Sequence, residues 1–439
     1  MSDQDPTPIS HPVQRAPKRE LFAWAMYDFA NSSYTTVVLT TLYNAYFVSM
    51  VATSADSTFG RGSATLFWTL AIAISNGLIL VSGPILGAMA DHYAWKKRFL
   101  TLTTAGCVLF TAGLAMTGPG DLWLAFTLLI LSNLMFSSGE IFIAAFLPEI
   151  SPQQDMGRIS GYGWSLGYFG GMLVLLLCLG YVEWARQQGH TADQFIPVTM
   201  LITASCFALA ALPTLLILQE RSIRKQGAHY IRHAWQRLAQ TLAQARHRPD
   251  LFRFMLSLTI YSSGVYTVVV LAGVYAKEVM QFDERQTIIM ILIVNVTAAI
   301  GAFVFGHIQD RLGSVRTLAV TLLLWVLAIV LVITGTGSTV FWIAANLIGL
   351  AMGSCQSAGR ALIGLFTPAG RSAEYFGLWG LAVKLSAIIG PLSYGFISYM
   401  TAGNHRYAIL GTLVFFVAGF LLLLTVNEKR GREIARHDY

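Results

Sequence analysis

The strings GAMADHYAWKKR (87–98) and GHIQDRLGSVR (306–316) share one pattern: a glycine, three residues, an aspartate, then a basic tail. Each closes a long apolar stretch, and Asp91 and Asp310 stand 219 residues apart in a chain of 439. A second pair of strings keeps the same step. LPEISPQQDMGRISGYG (147–163) and FTPAGRSAEYFG (366–377) each carry a proline and then Gly-Arg before the next apolar stretch, with Pro148 and Pro368 220 residues apart. Two unrelated features at one offset mark an internal duplication. In the first pair, glycine permits a neighbour to come close, aspartate suits the N-terminus of an adjacent helix, and the basic residues suit an anionic lipid leaflet. Gly87, Asp91, Lys97, Arg98, Asp310 and Arg311, with Glu149, Arg158 and Arg371 from the second pair, are therefore candidates for a conformational latch.

Outward from these strings the chain is apolar. Hydrophobic residues make up 55% and charged residues 12%, against about 45–50% and about 25% in ordinary soluble domains, and mean hydropathy is +0.59. So little charge cannot cover a water-soluble globule of this size, whereas a membrane protein needs charge only in its loops. Stretches long enough to cross a hydrocarbon core of about 30 Å fall at 21–50, 64–90, 98–117, 122–147, 158–182, 195–218, 251–276, 286–307, 314–335, 339–366, 372–400 and 405–426. They are too long for barrel strands, and lipid leaves no backbone group unpaired, so all are read as helices. The expected fold is an all-α polytopic membrane protein with twelve transmembrane helices in two six-helix repeats. With the N-terminus inside, the cytoplasmic segments hold 22 Lys and Arg and the opposite loops hold five, which places both termini in the cytoplasm of a cell-membrane protein. The expected division is a disordered tail (1–20), an N-terminal bundle (21–218), a cytoplasmic linker (219–250), a C-terminal bundle (251–426) and a tail (427–439). In the linker, Ile231, Trp235, Leu238 and Leu242 recur at helical spacing and predict an amphipathic interfacial helix. His229 and His233 on that helix read as part of a solvated polar face.

Several function classes fall away. The pI of about 9.2 is explained by positive loops, so no nucleic-acid partner is expected. Cys107, Cys178, Cys206 and Cys355 lie in apolar runs without metal or disulfide spacing. The chain has no GxxxxGK[ST], HExxH or GxSxG, so neither ATP-driven pumping nor intramembrane catalysis is expected; no cofactor, metal or catalytic residue is assigned. The expected partners are a small-molecule substrate, protons and membrane lipids, with the protein a monomer.

The repeated Gly-x-x-x-Asp loops after the second and eighth helices resemble the loop signature of the major facilitator superfamily. Longer strings, AWAMYDFANSSYTTVV (23–38), FLPEI with GRISGYGWSLGYFGG, and GSCQSAGRALIGLFTPAGRSAEYFGLWGLAVKLSAIIGPLSYG (353–395), resemble the fungal vacuolar effluxer (autophagy-related) family and its bacterial relatives. The resemblance implies a secondary transporter of small solutes, with amino-acid efflux associated with the fungal branch, and a central cavity lined by helices 1, 4, 7 and 10. The chain departs from the family pattern twice. YSSG (261–264) puts Ser263 where the family has an acidic residue, and Gly359-Arg360-Ala361 replaces Ser-Arg-Ser.

An ionisable group inside a bilayer is costly and usually faces water or a partner. Asp28, Glu140, Arg360 and Lys384 are the deep ones, the first three at a similar depth of roughly 10–12 Å from the cytoplasmic side. Polar stripes at helical spacing accompany them: Tyr27, Asn31 and Tyr34; Asn133, Ser137 and Glu140; Gly353, Gln356 and Arg360. Such amides and hydroxyls either satisfy one another between helices or line a cavity. Tyr261, Tyr266, Trp164, Tyr168 and Trp379 are candidates for an aromatic wall. The glycines 163, 167, 170 and 171 suit close helix packing. The expectation is a proton-coupled transporter of a small polar solute, an amino acid or related metabolite, in which Asp28 and Glu140 face Arg360 across the two halves. An exporter or flippase of lipids or hydrophobic drugs on the same fold is the alternative.

Overall fold

A computed structural model describes residues 14–52, 63–222, 248–278, 280–282, 284–335, 337–401 and 405–437. The linker helix expected around Ile231 to Leu242, with His229 and His233, lies outside the described residues, as do residues 1–13. Among the described residues, twelve long helical segments follow the order read from the sequence. The first, α1, is Lys18–Tyr34 with its continuation to residue 51; then come α2 (Ser63–Tyr93), α3 (Lys96–Gly113), α4 (Leu122–Ala145), α5 (Met156–Gln187) and α6 (Ala192–Ile217). The second set is α7 (Pro249–Glu278), α8 (Glu284–Leu312), α9 (Ser314–Thr334), α10 (Ser338–Leu365), α11 (Ser372–Met400) and α12 (His405–Leu423). A short amphipathic helix, α13 (Glu428–His437), ends the described chain.

Nine of these, among the described residues, are long and apolar enough to cross a membrane as single helices; α12 and α13, bent by 62° to each other, make a tenth only if the pair is counted as one span. α1 and α7 are absent from that set, and α1 is not one regular helix. Its α-helical turns give way to π-helix at Thr35–Thr41, return over Leu42–Tyr46 and widen again at Phe47–Val51. The cause is local. In TTVVLTT the hydroxyls of Thr35, Thr40 and Thr41 donate to carbonyls one turn back, at Ser32, Thr36 and Thr36, competing with the ladder.

The duplication read from two loops extends to the packing. α1 packs on α5 and α6 as α7 packs on α11 and α12; α2 and α3 pack on α4 as α8 and α9 pack on α10; α3 meets α6 as α9 meets α12. The halves then join along α2–α11 and α5–α8, with α5–α10 and α4–α11 beside them. The glycines of α5 lie against α1: a Cβ at Gly170 would stand 2.7 Å from Phe29 Cα and one at Gly167 3.1 Å from the Asp28 carbonyl. Outside, apolar side chains face away from protein. Leu102 and Leu109 on α3 are each 65% exposed, a surface that only lipid solvates without cost. Both ends of the described chain reach one face: Arg15 lies 3.8 Å from Asp155 and Arg436 donates to Gln153 at 2.6 Å. That face is called the tail face below.

Candidate functional site

At the tail ends of α1, α5 and α10 one arginine of the second half is inserted into the first. Arg360 Nη1 donates to both carboxylate oxygens of Asp28, at 3.0 and 2.7 Å. Its Nε donates to Ser160 Oγ at 3.1 Å and its Nη2 to the Ser160 carbonyl at 2.9 Å. The guanidinium carbon lies 4.8 Å from the centre of the Trp24 ring and 5.4 Å from that of Trp164. Arg360 is 3% exposed and Asp28 8%. Trp24 is held by its own bond to the Ile143 carbonyl at 2.8 Å, and the Ser160 hydroxyl donates to Ser357 O at 2.8 Å. Gly163 makes room, since a Cβ there would stand 2.2 Å from Asp28 Oδ2 and 2.7 Å from Arg360 Nη2. A buried ion pair is stable only when its remaining donors and acceptors are met, and here nearly every edge of the guanidinium is used.

The expected Glu140–Arg360 pair is not formed. Glu140 lies 3.6 Å from Lys384 Nζ instead, because α4 packs against α11 and Arg360 is already enclosed by Asp28, Ser160 and the two tryptophans. This second pair is looser and wetter, with side-chain exposures of 24% and 11%, and Lys384 also lies over the Phe136 ring at 5.8 Å. Glu140 is close enough to Asp28 and to Tyr266 to interact with both electrostatically. Tyr168 donates to Gln356 Oε1, joining α5 to α10 beside Tyr266. Two acids and two bases thus balance in charge on either side of the interface.

The other stripe residues divide. Tyr27 bonds Thr104 at 2.8 Å, Tyr34 bonds Ser132 at 2.8 Å and stacks on Phe136, and Asn133 donates to Ser75 at 2.5 Å. These three knit the first half together and are not solvent-facing in this form. Ser263 donates to its own helix at Thr259 and is 1% exposed where Gly390 of α11 meets it. Tyr261 is buried against Gly359 and Gly419 with its hydroxyl unpaired. Asn31, 8% exposed, also has its Oδ1 unpaired, one turn along α1 from Asp28.

The two repeated aspartates act reciprocally across the halves. Asp91 Oδ2 accepts the Glu374 N–H at 2.8 Å, at the start of α11, while Asp310 accepts the Gly157 and Arg158 N–H groups at 2.9 and 3.1 Å, at the start of α5. Each therefore neutralises a positive helix end of the opposite half. Gly87 allows this, because a Cβ there would stand 2.1 Å from the Ala373 carbonyl oxygen. The basic residue that completes the first latch is Lys96, not Lys97 or Arg98. Lys96 is wholly buried, 3.4 Å from Asp91, paired with Glu149, and bonded to Ser372 Oγ at 2.8 Å. Lys97 instead donates to the Leu218 carbonyl at 2.6 Å, and Arg98 is exposed beside Trp95. Arg158 pairs with Asp155 at 2.5 Å, Arg371 with Glu374 at 2.7 Å, and Arg311 is exposed.

Each half also carries a clamp that no motif announced. Glu20 at the start of α1 accepts the Gln219 N–H at 3.0 Å and two bonds from Arg221; Asp250 at the start of α7 accepts the Asn427 N–H at 2.8 Å and two from Arg430. Glu220 caps α3 through the Lys96 and Lys97 N–H groups, and Glu428 caps α9 through that of Val315. Burial alone would push the Glu20 and Asp250 carboxyls up, but Arg221 and Arg430 hold both below the ordinary range. A depressed folded value means the stabilisation is full above the unfolded value and is lost as pH falls through the folded one, so both clamps persist at neutral pH. Arg221→Ala leaves the Glu20 carboxylate, 5% exposed, short of its charged partner and is expected to remove about 1.5–3 kcal/mol, read as a fall in melting temperature of the purified protein.

Comparison with known proteins adds the following. Residues 16–436 match the family described as "Vacuole effluxer Atg22 like". An uncharacterized MFS-type transporter, YxiO, of Bacillus subtilis (strain 168) is 27% identical over 419 residues, covering 95% of this chain and 96% of its own. Autophagy-related protein 22 of Kluyveromyces lactis is 22% identical over 420 residues, covering 88% of this chain and 82% of its own. Among solved structures, the human organic anion transporter MFSD10 (TETRAN) superposes with a TM-score of 0.74 at 16% identity, over 93% of this chain and 100% of that one. The major facilitator transporter FucP in its outward conformation does so with 0.70 at 16% identity, over 93% and 98%.

Proposed function

The chain belongs to the vacuole effluxer Atg22-like family of major facilitator transporters, and on that premise we propose that it moves a small polar solute, an amino acid or related metabolite, by proton-coupled alternating access. The observation that carries the reading is the insertion of Arg360 from one half between Trp24, Asp28 and Ser160 of the other. It closes the tail face, and the 22 to 5 distribution of Lys and Arg supports reading that face as the cytoplasmic one. The Glu140–Lys384 pair is the group that meets solute and proton. At 3.6 Å with 24% exposure on the carboxylate it is open enough to exchange either, while Asp28 and Arg360 are sealed. Protonating Glu140 frees Lys384 for an anionic group of the solute, and deprotonation restores the pair as the solute leaves. Direction of transport follows the gradient.

The test is uptake into proteoliposomes with an imposed pH gradient, scored by mass spectrometry over an amino-acid panel beside lipids and hydrophobic cations. A polar zwitterion or anion is expected to accumulate with the gradient and to lose its pH dependence in Glu140→Gln. Accumulation of a lipid or lipophilic cation alone, or an unchanged pH profile in Glu140→Gln, contradicts the reading.

A further inference from the structure

Every group that holds the Arg360 guanidinium belongs to the half that Arg360 does not. Asp28 and Trp24 come from α1, and Ser160 and Trp164 from α5. When the halves part at the tail face, α10 takes Arg360 with it and these groups stay together, because α1 and α5 are packed backbone to backbone. What remains is a complete receptor: a carboxylate on one edge, a carbonyl on the other, and two indole faces. Its geometry is selective. The carboxylate and the Ser160 carbonyl are met by separate nitrogens of one planar group, Nη1 and Nη2, and the rings lie 4.8 and 5.4 Å from its central carbon. A compact ammonium cannot reach both edges at once, whereas a planar fork does, and aromatic faces favour a weakly hydrated cation.

We propose that this socket is a binding site for a small guanidinium-bearing cation, and that Arg360 is its tethered occupant in the closed form. The inference rests on alternating access and concerns its control: a cation bearing such a group binds when the tail face is open and must leave the socket before Arg360 can close that face. The same competition makes the arginine a sensor of occupancy. Closure follows release, and a bound cation holds the face open.

The experiment uses purified full-length Arg360→Ala in detergent, which lacks the tethered occupant. Methylguanidinium is titrated at low millimolar concentration against methylammonium and sodium at matched ionic strength, with melting temperature as the readout. A saturable rise of a few degrees is expected for methylguanidinium, at least fivefold weaker in apparent affinity for methylammonium, and abolished when Asp28→Asn is added. No saturable rise, or the same rise without Asp28, overturns the proposal. Should Arg360→Ala not fold, Gly87→Val keeps Arg360 and disturbs the α2–α11 closure instead, and the same titration applies with the same expected and contrary outcomes. Binding is read here without transport, so saturable binding with no uptake of any solute would count against the transport reading and not against the socket.

Discussion

Arg360→Ala is expected to reduce transport by two orders of magnitude or more while leaving the helices intact. The substitution leaves Asp28, 8% exposed, without its cation, and breaking one side of a buried pair costs about 3–5 kcal/mol. That cost falls on the form closed at the tail face, because only there do the two groups meet. Asp28→Asn is expected to be as severe, since Arg360 is then buried with the Ser160 oxygens but no counter-charge. The double variant should lose less than the sum, each partner's removal sparing the other from isolation. Initial uptake rates for the three variants, measured at equal reconstituted protein, check this. Strict additivity would mean that the two residues act separately. Gly163→Ala supplies a steric version of the same experiment. Its methyl would stand 2.2 Å from a carboxylate oxygen of the pair, so it is expected to mimic the charge removals without changing any charge.

The second large effect is expected at Gly87. Its missing side chain is what lets α2 meet the first turn of α11, with the Ala373 carbonyl oxygen 2.1 Å and carbon 2.7 Å from where a Cβ would be. These are backbone atoms and cannot step aside. Gly87→Val must push the start of α11 away, which also draws the Glu374 N–H from Asp91 and Ser372 from Lys96. Lys96 itself keeps two acidic partners, Asp91 and Glu149, both in its own half, so opening this latch leaves no charge unpaired. The variant is therefore expected to fold and to populate the form open at the tail face. A cysteine introduced at Ser372, 3% exposed, should change from slow to rapid labelling by a hydrophilic thiol reagent, in a background without the four native cysteines. Slow labelling in Gly87→Val would show that the closure does not depend on this approach.

Much of the architecture was legible from two strings and a period. The 219-residue step between Asp91 and Asp310 anticipated a repeat that the helix pairings reproduce, because a duplicated loop is kept only where the bundle around it is duplicated as well. Asp28 and Arg360 were legible because ionised groups in lipid need a stated reason. Their partners were less so. Matching depth and the missing acid of YSSG point Glu140 to Arg360, but depth fixes a level along the helix and not a direction around it, and α4 turns that residue toward Lys384 of α11. Tyr27, Tyr34 and Asn133 share the period of Asp28 and Glu140 yet bond Thr104, Ser132 and Ser75 inside the first half, since a polar stripe has the same spacing whether it faces water or another helix. Lys96 was hidden by its neighbours. In KKR the first lysine begins α3 and points into protein, Lys97 reaches the Leu218 carbonyl and Arg98 is exposed, and nothing in the three letters distinguishes them. The clamps at Gln219–Arg221 and Asn427–Arg430 were hidden because QER and NEKR, a few residues past α6 and α12, stand 208 residues apart and off the 219-residue step. The π-helical part of α1 had a signal in TTVVLTT, whose threonines crowd and compete with the backbone.

The central claim is that Arg360, seated among Trp24, Asp28, Ser160 and Trp164, is what keeps the tail face shut. Pulsed electron–electron resonance between spin labels at Thr101 and Arg316, exposed positions near the starts of α3 and α9, measures the separation of the two halves at that face. The wild-type protein is predicted to give a dominant short distance, and Arg360→Ala to shift the population to a longer one with no ligand present. A distribution that stays short in Arg360→Ala while uptake is lost would contradict the account, since the arginine would then serve the solute and not the closure.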